Sequence, residues 1–289
     1  MRDFITLYKA LLFGHLGLDS LSDGGGKFKR LAAAFFAAVF VVFFVITQVW
    51  LFVPIVSAAA EMEYPGLSVE LAVMVSAVPG LLFGFFALIR TLLFAGDIAL
   101  LAPLPVKRTC IFRSKLAYVY TVVFLAVSGV LVPSFIIYSV SCKAGIFFWL
   151  RGIAVMVGLP MIILGVLSVI SVPVVLLSGN GKRLTAFSKY AGRLVLPIMD
   201  AGLAVACMTV GAPGAFLWEN WAVIKSWSVP PLSWASLSVF SGGMTSAITL
   251  LLFAATVLVC VLVAGAILRR LFVRRVSRVL STAQDRAMR

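Results

Sequence analysis

The chain alternates between long apolar stretches and short polar segments, and this pattern predicts a helical membrane protein. A helix that crosses a bilayer needs about 20 mostly apolar residues. Six stretches are long enough: residues 31–60, 68–89, 116–140, 152–178, 194–217 and 244–268. None shows the period-two alternation of a membrane barrel. We therefore expect an all-α, polytopic membrane protein with six transmembrane helices in a domain covering residues 31–268.

Two amphipathic segments flank this domain. In residues 3–13 the large apolar side chains recur on one helical face, with Asp3 suited to cap the helix and Gly14 to end it. We expect this helix to lie in the cytoplasmic membrane interface, within an N-terminal segment of residues 1–30. The basic tail, residues 269–289, should continue the last span as a helix that bends onto the anionic membrane surface.

Composition and charge narrow the class and give an orientation. Hydrophobic residues make up 63% of the 289 residues, mean hydropathy is +1.15 and charged residues are only 12%, whereas a soluble domain is roughly a quarter charged. The net charge is +14, and 21 of the 24 Lys and Arg residues fall on one side of the predicted spans. Basic residues face the cytoplasm, so both termini should be cytoplasmic. Contact with anionic lipids explains the charge without a nucleic-acid partner.

Residues for catalysis or metal binding are scarce. The chain has one His, four widely separated Cys and two acidic residues within the spans, which supply no nucleophile–base pair and no metal cluster. The Gly24-Gly25-Gly26-Lys27 run lacks the first Gly and the Ser or Thr of a phosphate-binding loop. We therefore predict no catalytic, cofactor or metal site and no enzymatic activity in this chain.

The acidic residues and close glycines within the spans have open interpretations. Asp200, in the weakest span, is costly in a bilayer, and either pairs with Arg193 or lines a pathway. Glu70, near the outer end of the second span, is expected to reach water. Gly80 and Gly84 form a GxxxG motif that allows close helix approach, either inside one chain or between two copies.

Residues 218–243 form an unusual outer connection. The segment is long, nearly uncharged and rich in Trp, with Pro230-Pro231 in the middle. Because Trp favours the membrane interface, we expect two short helices broken by the proline pair and dipping into that interface. An aromatic anchor with no role in transport is the alternative.

Residues 97–115 form the most informative cytoplasmic connection. Asp97 can cap a short helix carrying Leu100 and Leu101, and two prolines end it, because each fixes the backbone and removes a donor. An exposed, stiff apolar knob of this kind needs a protein or lipid partner, although a loop lying on the membrane surface is an alternative. The predicted docking residues are Asp97, Leu100, Leu101, Pro103, Pro105, Lys107 and Arg108.

This connection resembles the cytoplasmic coupling region of six-span bacterial ABC exporter permeases. The resemblance lies in Asp97, the Leu100-Leu101 pair, Pro103-Leu104-Pro105 and Lys115 at the start of the third span. It implies a transport subunit of the bacterial cell membrane whose knob docks on a separate cytoplasmic ABC ATPase, which holds the ATP and Mg²⁺. It also implies a second permease copy or half, since the most similar group of permeases is often about twice this length.

Two other functions stay open from the sequence. A secondary transporter or channel would use Asp200 and Glu70, although such proteins usually show repeated, broken helices in two halves. A membrane scaffold without transport activity is the other. Co-purification of a soluble ATPase would distinguish an exporter subunit from both.

Overall fold

The computed structural model describes residues 2–15, 27–93, 108–177 and 230–287, and the regular structure in these ranges is entirely helical. Five of the seven helices described there are long and apolar enough to cross a membrane, as in a multi-pass membrane protein. The all-helical prediction is therefore confirmed for the described residues, whereas the predicted span 194–217 lies outside them. The helices are α1 Arg2–His15, α2 Lys27–Glu61, α3 Gly66–Leu88, α4 Arg108–Ser141, α5 Ile146–Leu177, α6 Leu232–Phe240 and α7 Gly243–Ala287.

Two tight turns pair the spans into antiparallel hairpins. The turn between α2 and α3 places Glu63 in the left-handed region at φ 57°, and the turn between α4 and α5 does the same with Lys143 at φ 49°. In the first turn the amide of Tyr64 donates to the carbonyl of Ala59 at 3.1 Å. This five-residue return bond satisfies one of the carbonyls left open at a helix end.

The GxxxG glycines of α3 lie inside the bundle. A Cβ built on Gly80 would stand 2.7 Å from an Ile163 methyl of α5, and one on Gly84 would stand 2.6 Å from Leu167 of the same helix. The opposite neighbours are Val127 and Val123 of α4. From Gly80 to Gly84, the contacted residue advances from Ile163 to Leu167 in α5 but goes back from Val127 to Val123 in α4. Helix α3 is therefore parallel to α5 and antiparallel to α4.

A second pair of glycines joins α5 to α7. The side chain of Phe253 packs against Gly158, and that of Cys260 packs against Gly165. A Cβ added to either glycine would stand 2.6 Å from its partner. The second contact lies seven residues after the first on both helices, which is the repeat of parallel helices packed knobs into holes. Helices α3, α5 and α7 therefore run in one direction, and α2 and α4 run in the other.

The bundle has two distinct ends, which we call the turn end and the basic end. The turn end holds the two tight turns and α6. The basic end holds the last described residues after α3 and the first residues of α4, and α1 packs against α4 near it.

Two terminal predictions are refined by the structure. Helix α1 continues through Gly14 to His15, so the prediction that Gly14 ends it was wrong. Helix α7 runs without interruption from the last span into the basic tail as far as Ala287. The side chain of Tyr8 in α1 shares a hydrogen bond of 2.8 Å with the Thr121 hydroxyl of α4, which fixes α1 against the bundle.

Candidate functional site

Most of the predicted docking residues fall outside the described part of the chain. Asp97, Leu100, Leu101, Pro103, Pro105 and Lys107 lie in residues 94–107, and Asp200 lies in residues 178–229. Arg108 is described as the first residue of α4. The structure does describe both helix ends that flank residues 94–107, and these ends lie together at the basic end of the bundle.

A buried lysine joins these two helix ends. The side chain of Lys115, seven residues into α4, is 0% exposed, and its Nζ donates a hydrogen bond of 3.0 Å to the backbone carbonyl of Thr91. Thr91 lies in a π-helical turn, Ile89–Leu93, that follows α3 directly. The Thr91 hydroxyl in turn donates to the carbonyl of Ala87 at 2.5 Å. Residues on both sides of the 94–107 segment are therefore bonded to each other.

The apolar surroundings of this contact include α7. The aromatic rings of Phe112 in α4 and Phe272 in α7 lie 5.6 Å apart between centroids. Leu268 of α7 is completely buried, as are Leu88 and Leu92 at the end of α3. The end of α3, the first turns of α4 and an interior part of α7 thus form one packed cluster at the basic end.

Charge is distributed unevenly between the two ends. The described turn end carries three glutamates, Glu61, Glu63 and Glu70, against two basic residues, Lys143 and Arg151. The basic end carries Arg90, Arg113, Arg269 and Arg270, the last three of them exposed. Cationic surfaces of this kind attract anionic lipid head groups.

At the turn end, the structure corrects the expectation for Glu70. This side chain is only 5% exposed and does not reach water, because Tyr64 and α6 cover the turn end of α3. The Tyr64 hydroxyl donates a hydrogen bond to the Glu70 carboxylate. Burial, and then the Glu70 charge and this hydrogen bond, raise the pKa of Tyr64 above its ordinary value of 10.0. The pair places one carboxylate beside a phenol under a covering helix.

The covering helix α6 is the described part of the predicted outer segment 218–243. It begins directly after the Pro230-Pro231 pair, whose peptide bond is cis, and it packs on α3, α5 and α7. The ring of Phe240 meets Tyr64 edge to face at 5.8 Å and closes over Gly66, where a Cβ would stand 2.4 Å from it. The first half of the predicted pair of short helices lies outside the described residues.

Hydrogen bonds from neighbouring spans hold the end of α6. A guanidinium nitrogen of Arg151 in α5 donates to the carbonyl of Ser241 at 3.0 Å, and the Ser246 hydroxyl of α7 donates to the carbonyl of Ser238 at 2.9 Å. The role of Arg151 was not anticipated from the sequence, where it appeared only as one of three outer basic residues. Its bond is to a residue 90 positions away, which no local pattern reveals.

The burial of Lys115 is predictable from the sequence pattern around it. The residues one helical turn before and after it, Ile111 and Val119, are apolar, so Lys115 lies on the buried stripe of α4. The sequence pattern does not predict its hydrogen bond to Thr91, because the acceptor is a backbone carbonyl outside α4.

Comparisons of the chain with protein-family models, with curated proteins and with solved structures give no match. What the protein does is therefore inferred from its own residues and from their arrangement.

Proposed function

We propose that this chain is the transmembrane permease subunit of a bacterial ABC exporter. A separate ATPase would bind at the basic end through Leu100 and Leu101 and would hold the ATP and Mg²⁺. Supporting features are the five apolar helices, the cationic end of the bundle, and the acidic, Leu-Leu, Pro-rich pattern between α3 and α4. Anionic lipids would contact the same end.

The proposed topology has six spans and both termini in the cytoplasm. Helix α5 runs toward the basic end and finishes at Leu177, whereas the description resumes at Pro230, at the turn end. A chain joining these points crosses the bundle an odd number of times, which supports a span at residues 194–217. The excess of Lys and Arg at the basic end supports a cytoplasmic position for that end.

One observation carries the proposal: the hydrogen bond between Lys115 and Thr91. A segment that transmits force from an ATPase must be attached to helices that do not slide past each other. The described helices on the two sides of residues 94–107 meet in one packed cluster, and a buried hydrogen bond from Lys115 to Thr91 holds them together. ATP-driven closure of two ATPase subunits would then displace α3 and α4 in each of two permease copies or halves.

Affinity purification from bacterial membranes in a mild detergent tests this function. We expect a soluble ATPase with a phosphate-binding loop to co-purify with the wild-type chain. The double variant Leu100→Asp, Leu101→Asp should lose it, because charged side chains do not fit an apolar groove. The matched control, Ser141→Asp with Lys143→Asp, adds two carboxylates at exposed positions of the turn end and should retain the ATPase. Retention by both variants would exclude docking through the knob.

A second candidate function, a self-contained secondary transporter, is favoured by Glu70. A carboxylate that is 5% exposed within a span is a common feature of ion and proton pathways. Purified protein in liposomes distinguishes the two. Proton-driven uptake that is lost in Glu70→Gln and needs no ATPase would support the secondary transporter and contradict the exporter.

A further inference from the structure

We infer that Lys115 is a positioning residue for energy coupling. Its buried ammonium group fixes the two helix ends that flank residues 94–107, so that a displacement of this segment moves α3 and α4 as one body. The inference rests on the proposed exporter function and adds to it a specific residue outside the predicted docking set.

The physical basis is the burial of this contact. The side chain of Lys115 comes from a neighbouring helix, is 0% exposed, and donates to the carbonyl of Thr91. A buried polar group that loses its hydrogen-bond partner costs the full desolvation penalty of that group. The contact therefore resists separation of α3 from α4.

The π-helical turn at the acceptor places the contact where it matters for coupling. Turns of this kind are rare and frequently occur at functional sites. Here the turn spans Ile89–Leu93, immediately before residues 94–107, and the donor lies seven residues after the start of α4. Force applied to the segment thus meets the hydrogen bond before it reaches the rest of the spans.

The packed cluster extends the coupled body to a third helix. Phe112 lies one helical turn before Lys115 and contacts Phe272 of α7. Helix α7 is linked in turn to the turn end through Ser246, which bonds α6. A displacement at the basic end is therefore delivered to α6 along the part of α7 between Phe272 and Ser246, which is about 39 Å long.

Hydrogen–deuterium exchange of the detergent-purified chain tests the local role. In Lys115→Met, which keeps an unbranched apolar side chain but has no donor, amides of residues 88–93 should exchange on the order of ten- to a hundredfold faster than in wild type. Lys115→Arg keeps the charge and donors and should remain protected. The control Lys143→Met removes an exposed lysine at the turn end and should change nothing at the basic end. Unchanged exchange in Lys115→Met overturns the inference.

Exchange of the complex with its ATPase tests the coupling role. With ATP and vanadate, wild type should change protection in the turn-end residues 58–66 and 141–147. Lys115→Met should bind the ATPase equally and lose this response, and Lys115→Arg should keep it. A response that persists in Lys115→Met overturns the coupling role. Lys115→Gln, too short to reach the carbonyl, replaces the Met variant if the latter does not accumulate.

These outcomes separate the inference from the proposed function. If no ATPase co-purifies with wild type, the exporter function and the coupling role both fail, while the local exchange result still decides whether Lys115 fixes the helix ends. If the ATPase binds and the nucleotide response is independent of Lys115, the function stands and the inference falls.

Discussion

Gly165 of α5 and Cys260 of α7 are in such close contact that a Cβ on the glycine would stand 2.6 Å from the Cβ of the cysteine. The backbone of Cys260 is also within reach, at 3.1 Å from the same point. A neighbouring side chain could rotate away from an added methyl, but a helix backbone has to shift as a whole. This contact and the one at Gly158 pack the middle of α7, much of whose surface is exposed, closely against α5.

We therefore predict that Gly165→Ala destabilises the protein. Overpacking of this kind costs about 1–3 kcal/mol, which outweighs the gain of up to about 1 kcal/mol in helix propensity. The matched control is Gly265→Ala in α7, where an added Cβ meets nothing within 4 Å. We expect thermal unfolding in detergent to shift downward for Gly165→Ala, and to stay level or rise for Gly265→Ala. Equal effects would contradict the proposed contact.

A second prediction concerns the GxxxG motif. Because Gly80 and Gly84 face α4 and α5 of the same chain, Gly84→Leu should lower the thermal stability without changing the number of chains in the particle. The expected cost is at least about 1–3 kcal/mol, since a large side chain must enter a filled space. Light scattering with size-exclusion chromatography checks the mass. Conversion of a dimer to a folded monomer would show that the motif joins two copies instead.

The Tyr64–Glu70 pair predicts a particular response to alkali. The pKa of Tyr64 is raised, so its neutral form is favoured in the folded protein. The stability that this provides is complete below pH 10, the ordinary pKa, and is lost as the pH rises through the higher folded value. Glu70→Gln removes the carboxylate charge and should lower the pKa of Tyr64 toward 10 without reaching it, since burial persists.

Ultraviolet absorbance of tyrosinate measures this shift. The contribution of Tyr64 is obtained by subtracting the titration of Tyr64→Phe, in both the wild-type and the Glu70→Gln backgrounds. A Tyr64 titration that is identical in the two backgrounds would contradict the contact with Glu70.

The orientation of the bundle gives a fourth prediction. In a chain whose native cysteines are replaced, Lys143→Cys at the turn end should react with a membrane-impermeant maleimide in cells with a permeable outer envelope. Arg270→Cys at the basic end should react only after the cell membrane is opened. Both side chains are exposed, so access depends on sidedness alone. The reverse pattern would place the basic end outside and contradict docking of a cytoplasmic ATPase.

Long-range pairings account for the main differences between prediction and structure. The expectation that Glu70 reaches water followed from its place near the end of a span, but α6, more than 160 positions later in the chain, covers it. The role of Arg151 and the acceptor of Lys115 were likewise invisible, since each bond joins residues far apart in sequence. For the GxxxG motif, the pattern required close approach by some helix, and the fold selected α4 and α5.

The sequence by itself determined the class of the protein, its helices and the asymmetry of its charge. The length and apolar content of each span and the positions of Lys and Arg are local properties, and they decide how a segment interacts with a bilayer. Tertiary structure alone decided which glycines receive which side chains, that Lys115 is buried against Thr91, and that Glu70 is covered. These facts depend on which helices become neighbours, and in a chain with apolar residues on nearly every helical face, hydrophobic pattern does not specify the neighbour. Shape complementarity at small residues and a few buried hydrogen bonds specify it instead.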